Sequence, residues 1–402
     1  MTLRAPTTAN PPQIRRVVGL IPAPELPERI VELVLPEMAT LLGRYIDDRC
    51  DWQVDTVTEP VIGARDDTQQ LVANAASIGE RRGWDYVLCL TDLPIFRGAE
   101  LTIAEASEAR GVAFLSLPAL GAAPLRRRVR EALLHLLNEL HHGSSDAARD
   151  RQQDHVQSRQ RRYSTHGLRN NNSRQLVGSR LMERFAPFRR VRPDNENIDV
   201  RFVAAKPRRA RCRLLAGMIR ANRPWTILPA FKGIIAVAFA TGAYGLVFPS
   251  LWRLSDAYEP WRFVLLMLTS ISAMVAWIII DHRLWEPRHA ANSTTLRRLY
   301  NLATIGTLTM GVLCYYATLF ALFLLAVALF VPGDLLGKTL GHEATAGSFP
   351  ALAWLASSVA TVAGALGSSL ESDETVRNAT YGFRQQKRQE QIQSGERASK
   401  QD

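Results

Sequence analysis

A chain of 402 residues, 47% of them hydrophobic, is long enough for a globular domain and a membrane part, and its four isolated cysteines exclude a disulfide framework or a cysteine zinc knuckle. The formal net charge of +11 is unevenly placed: residues 1–140 carry 15 basic and 19 acidic side chains, residues 141–224 carry 20 and 7, and residues 225–402 carry 14 and 12. An excess gathered just before apolar spans reads as a topology and membrane-surface signal, and the basic segment lacks the interleaved aromatics and fold signature that would favour nucleic acid.

The first 24 residues hold no apolar stretch long enough for a signal-peptide core, so the N-terminal domain is expected to stay in the cytoplasm. RRVVGLIPAP (15–24) reads as a strand, PERIVELVLPEMATLLGRYI (27–46) as a helix with a break near Pro36, and WQVDTV (52–57) as a strand. TQQLVANAASIGERRG (68–83) is helical, DYVLCLTDLP (85–94) and VAFLSLPAL (112–120) are near-continuous apolar strands, and PLRRRVREALLHLLNELHHG (124–143) is a closing helix. Such strands separated by helices predict an α/β domain over residues 1–143, with a mostly parallel sheet covered on both faces.

The closing helix carries HLLNELHHG, three histidines and a glutamate in nine residues. At 100° per residue Leu125, Val129, Leu133, Leu136, Leu137 and Leu140 share one face, while Arg128, Glu131, His135, Glu139 and His142 share the opposite one, which predicts a solvated stripe with pairs such as Glu131 with His135. His135 and His142 are seven residues apart, about 10 Å along the axis, too far to share one ion in the manner of a helical H-E-x-x-H site. A surface metal site from Glu139 and His142 is the most this helix offers. Asp92, at the end of a predicted strand, marks the edge where α/β sheets bind ligands; the alternative is an Asx turn before Pro94. No glycine-rich phosphate or dinucleotide cradle follows the first strand, so no cofactor is expected, and no spacing argues for a Ser-His-Asp or Cys-His constellation. No catalytic residue is assigned.

Residues 144–197, rich in Gln, Arg, Asn and Ser, read as a flexible basic linker. IDVRFVA (198–204) alternates like a strand, and residues 211–233 read as an interfacial amphipathic helix or a plain basic flank. Arg208, Arg209, Arg211, Arg213, Arg220 and Arg223 are the candidates to face anionic lipid headgroups.

Four stretches have the apolarity of membrane helices, at about 229–252, 262–280, 302–331 and 350–370. No Asp, Glu, Lys or Arg lies in the middle of any of them, which disfavours a proton-coupled or ion-coupled transporter. Arg283, Arg288, Arg297 and Arg298 between the second and third stretches, against Lys338 alone after the third, predict both termini in the cytoplasm. Ala356, Ala360, Gly364 and Ser368 form a small-residue ridge, for homo-oligomerisation or for packing within the bundle. Residues 371–402 read as a cytoplasmic tail that either docks on the N-terminal domain or is solvated.

Two resemblances attach to these motifs. The order CLTDLP, then AEASEARGVAFLSLPAL, then a helix bearing His and Glu, over about residues 84–143, resembles archaemetzincin-type zinc proteases. The extended three-histidine motif of that family is absent here, so the likeness implies a zincin-like domain that has lost its metal. VGLIPAPELP, LCLTDLPI, AFLSLPALG and RANRPW, followed by four spans, resemble uncharacterised actinobacterial multi-pass membrane proteins, which implies a membrane location, a two-part build and no particular activity. The expectation is an integral plasma-membrane protein whose α/β domain is a non-catalytic, membrane-anchored binding or regulatory module. A hydrolase on that domain and a channel or transporter are the alternatives.

Overall fold

The computed structural model describes residues 14–63, 68–98, 100–145, 187–193, 197–227, 231–285 and 294–367. The chain forms two compact units that meet between Ala221 and Asn222.

The first unit is built on an eight-stranded sheet: β1 (Ile14–Pro22), β2 (Cys50–Thr56), β3 (Tyr86–Thr91), β4 (Ile95–Arg97), β5 (Glu100–Ser107), β6 (Val112–Ser116), β7 (Phe188–Val191) and β8 (Val200–Ala204). Its order is β2-β1-β3-β6-β5-β8-β7, with β4 on β5. The α/β class stands, but the mostly parallel sheet does not: β1 with β2, β1 with β3 and β3 with β6 are parallel, and the remaining four pairings are antiparallel. The difference arises from β5, which turns back tightly into β6, and from β7 and β8, which return from beyond residue 186 to close the sheet. β7 falls inside the segment read as a linker, whose residues 146–186 lie outside the described residues.

Helices α1 (Leu26–Tyr45), α2 (Thr68–Arg82), α3 (Leu117–Leu120), α4 (Leu125–His142) and α5 (Pro207–Ala221) complete the unit. Side chains alternate across the central strands. Ile21, Val87, Cys89, Val112 and Phe114 pack with Leu71, Val72 and Ala75 of α2. Leu20, Leu88, Leu90 and Leu115 point the other way, to the face shared by α1 and α4. α1 does not break at Pro36. The ring sits on the exposed side, while Ile30, Val31, Val34, Met38 and Leu42 stay buried on one continuous stripe, and that burial outweighs one missing backbone hydrogen bond.

In the second unit α6 (Lys232–Gly245) and α7 (Pro249–Ala257) meet at 91°, so the first apolar stretch is not one straight helix. α8 (Pro260–Asp281), α9 (Thr294–Phe330) and α11 (Ser348–Gly367) are each long and apolar enough to cross a membrane, and α10 (Gly333–Leu340) lies between the last two. Met274, Ile278, Leu308, Val312, Leu319, Phe323, Leu352 and Ala356 form part of a common core. Outward-facing side chains are equally apolar, with Phe330 81% and Ile280 73% exposed, the pattern of helices solvated by lipid. Several buried hydroxyls are hydrogen-bonded within the bundle: Ser357 donates to the Ala353 carbonyl at 2.6 Å, Thr361 to the Ser357 carbonyl at 2.7 Å, and Tyr316 shares a 2.7 Å bond with Ser358.

The small-residue ridge faces into this bundle. A Cβ at Gly364 would lie 2.2 Å from the Tyr315 hydroxyl and 3.2 Å from Ala238 Cβ; Ala356 and Ala360 are buried; Ser368 is outside the described residues. Gly364→Ala is therefore expected to destabilise the detergent-solubilised chain by about 1–3 kcal/mol through overpacking. Gly245→Ala, where the added carbon meets nothing within 4 Å, serves as the near-neutral control in the same thermal unfolding measurement.

Candidate functional site

At the strand ends, Asp92 follows β3 and is 1% exposed. The turn there is stabilised by its neighbour, since the Leu93 backbone N–H donates to Thr91 Oγ1 at 3.1 Å and Ser116 Oγ donates to the Leu93 carbonyl at 2.5 Å. Next along the edge, Gly121 adopts φ +90°, and a Cβ there would lie 2.7 Å from Arg213 Cγ and 3.1 Å from Arg128 Nη1. Arg128 donates to the Leu120 carbonyl, and the Arg213 guanidinium sits 4.1 Å over the Phe188 ring. Asp92, Arg128 and Arg213 are thus buried polar side chains of this part of the domain.

Arg213 accordingly leaves the set of lipid-facing arginines, being 4% exposed. The helix that carries it begins and ends earlier than the predicted 211–233 and is not a free amphipathic segment. Ala210, Leu214, Gly217, Met218 and Ala221 are buried, and α5 approaches α3 so closely that a Cβ at Gly217 would lie 2.2 Å from the Pro118 carbonyl oxygen. Arg208, Arg209, Arg211 and Arg220 remain exposed, and Arg223 is partly buried.

The polar face of α4 is also not the solvated stripe its periodicity suggests. Arg128, Glu131 and Glu139 are buried. β7 supplies the cover: Arg190 donates to Glu139 at 2.8 Å and to the Ser144 carbonyl at 2.8 Å, while Arg127 pairs with Glu131 at 3.2 Å. His142 Nε2 lies 3.3 Å from the Ile46 carbonyl. Glu139 is thus paired with Arg190, and His142 lies against the Ile46 carbonyl.

The histidine that does meet other metal-ligating groups is His141. Asp47 and Cys50, from the connection between α1 and β2, lie against it, and one donor atom from each of the three falls within 4.8 Å of the others. His141 Nε2 is 3.6 Å from Asp47 Oδ2, and its Nδ1 is 3.0 Å from the Tyr86 hydroxyl. The alternation of β2 and β3 turns Cys50, Trp52 and Tyr86 toward the α4 side, and the Trp52 ring packs edge-on to His141. Trp52 Nε1 donates to the Asp47 carbonyl at 2.8 Å, which fixes the loop. Arg49 grips the Asp47 carboxylate through Nε at 3.1 Å and Nη2 at 3.0 Å.

Burial works against the charged form of Asp47, but the side-chain and backbone hydrogen bonds of Arg49 outweigh it and hold the carboxyl well below its usual range. Burial and then the neighbouring His142 push His141 downward, against the opposing pull of Asp47. Burial and Asp47 push the Cys50 thiol up, and burial does the same to Tyr86. With both ring nitrogens of His141 already facing Asp47 and Tyr86, the arrangement is not that of a histidine activating a cysteine nucleophile. A buried carboxylate, a thiol and a neutral imidazole are instead the donor types that hold a borderline divalent metal.

Comparison with protein-family models, with curated proteins and with solved structures returned no match for the chain.

Proposed function

We propose that the chain is a multi-pass membrane protein whose N-terminal α/β unit is a non-catalytic binding or regulatory module held on the cytoplasmic side. The observation that carries this reading is the pairing, in one chain, of an α/β unit having its own core with apolar helices whose interiors carry no charged side chain.

Four crossings are the finer reading of the second unit. α6 starts beside the last turns of α11, where Ile234 and Ala238 approach Gly364. α7 lies at the opposite end with α10, where Arg253 Nε donates to the Thr339 carbonyl at 3.3 Å and His342 Nε2 is 3.0 Å from Asp256. Contacts at both ends of the bundle support reading the bent pair as a broken span. Arg223, Lys232, Arg283, Arg297 and Arg298 gather at the first end; at the other, Arg253, Arg262 and Lys338 are balanced by Asp256, Glu259, Asp334 and Glu343. That bias supports a cytoplasmic first end, with both termini inside. Single cysteines placed at 290 and 346 in a chain stripped of its native cysteines are expected to react with a membrane-impermeant thiol reagent in intact cells only at 346. Labelling at 290 as well would overturn the topology.

The partner we propose for the module is an anionic lipid surface, met by the exposed Arg208, Arg209 and Arg211. Each basic residue near such a surface contributes about 1 kcal/mol, so replacing the three with alanine is expected to weaken binding of residues 1–228 to phosphatidylserine vesicles about a hundredfold. Parent binding that is indifferent to lipid charge and to salt would refute the lipid contact.

A further inference from the structure

We propose that Asp47, Cys50 and His141 form a zinc site, with Asp47 Oδ2, Cys50 Sγ and His141 Nε2 as three ligands and water as the fourth. This goes beyond the lipid-binding reading and does not depend on it.

The geometry is the first support. Zinc bonds of 2.0–2.3 Å at a tetrahedral angle put a nitrogen and an oxygen ligand about 3.4 Å apart. The 3.6 Å between His141 Nε2 and Asp47 Oδ2 is close to that edge and too long for a good hydrogen bond. Cys50 Sγ lies within 4.8 Å of a His141 ring nitrogen and of an Asp47 carboxylate oxygen, so an ion among the three residues needs only side-chain rotations to reach them all.

The surroundings are the second. A metal-binding histidine is oriented by a hydrogen bond from its other ring nitrogen. With an ion on Nε2, Nδ1 would carry the ring proton and donate it to the Tyr86 hydroxyl oxygen, 3.0 Å away. The Asp47 backbone is pinned by Trp52, and the loop by the contact of His142 with the Ile46 carbonyl. Asp47 is 5% and Cys50 8% exposed, so little water competes for the ligands. Arg49, which pairs with Asp47 in this structure, has a side chain 75% exposed, so it can turn into solvent when the charge of the ion takes its place on the carboxylate. On binding, the Cys50 thiol loses its proton to solvent and the thiolate takes its place on the metal. The bound ion would tie the α1–β2 connection to the last turn of α4, where the chain leaves the helix.

The test uses the detergent-solubilised full chain, loaded with zinc and desalted. One equivalent of zinc is expected to remain, and cobalt in its place is expected to give a thiolate-to-cobalt absorption band. Loss of a supporting contact alone weakens metal sites about 10–100-fold, so Cys50→Ser and His141→Gln should lower zinc affinity by more than this and Cys50→Ser should abolish the band. Glu139→Gln, on the same helix but paired with Arg190 rather than with the site, should retain both. Retention of less than about 0.1 equivalent by the parent, or a cobalt band that survives Cys50→Ser, would overturn the site. Where the variants fail to fold, the parent decides the matter: zinc should slow alkylation of Cys50, read by peptide mass spectrometry, at least about tenfold, and an unchanged rate overturns the site.

Discussion

Glu105→Ala is expected to cost the first unit about 3 kcal/mol, lowering its unfolding midpoint by roughly 6–12 °C. Glu105 sits on β5, 2% exposed, and its carboxylate receives Arg97 of β4 at 3.2 Å and Arg201 of β8 at 2.7 Å. Removing the acid leaves two guanidinium groups facing each other in a site with little water. Their side chains are still 24% and 16% exposed, which places the cost at the lower end of the range for a broken buried pair. The triple replacement Glu105→Leu, Arg97→Met, Arg201→Leu removes all the charge together and should restore most of the loss. Hydrogen exchange across β4, β5 and β8, followed with thermal unfolding, checks both variants. An unchanged midpoint in Glu105→Ala would mean that the three side chains are not desolvated as the structure has them.

The same triad shows why three of the eight strands, β4, β5 and β7, were not legible in the sequence. β1, β3 and β6 announce themselves as apolar runs, and β2, at the sheet edge, by alternation of buried and exposed residues. β5 reads ELTIAEAS, with two glutamates and two alanines, residues that strands usually avoid. It is a strand because Arg97 and Arg201 meet its buried carboxylate, and both lie on strands whose pairing no local pattern reveals. β7 was hidden likewise inside an arginine-rich segment that resembles a linker, although Arg190 is what covers Glu139. The small-residue ridge of α11, by contrast, was visible from spacing alone, because packing in a bundle depends on side-chain size at regular intervals.

For the candidate metal centre, periodicity and the fold put different histidines forward. Spacing within α4 weighs Glu139 with His142, yet His141 meets residues 91 and 94 positions earlier in the chain, brought to it by the parallel pairing of β1 with β2 and β3. The one local hint was Asp47 and Cys50 three residues apart between a helix and a strand. That spacing is too common to point to a metal without knowing what the fold sets against it.

Gly217→Val carries the other large expected effect, and its consequence reaches the membrane surface. A Cβ at 217 would lie 2.2 Å from the Pro118 carbonyl oxygen and 2.8 Å from the Pro118 Cα and carbonyl carbon. All three are backbone atoms, so no side chain can turn aside and α5 must move off α3 as a body. Overpacking of this kind costs about 3 kcal/mol or more. Hydrogen exchange in residues 207–221 and 117–120 of the full chain should accelerate together, with Gly217→Ala following in the same direction to a smaller extent. Once displaced, α5 exposes Leu214, Met218 and Ala221 on one face while Arg208, Arg209 and Arg211 remain exposed, which is the make-up of an interfacial helix. In the parent that apolar face is spent on the domain core, so residues 1–228 should bind anionic vesicles through charge and neutral vesicles hardly at all. In Gly217→Val, binding to neutral vesicles should appear and resist salt, because buried apolar area rather than arginine then drives it. Strong binding of the parent itself to neutral vesicles would show instead that α5 already exchanges its place on α3 for one in the bilayer.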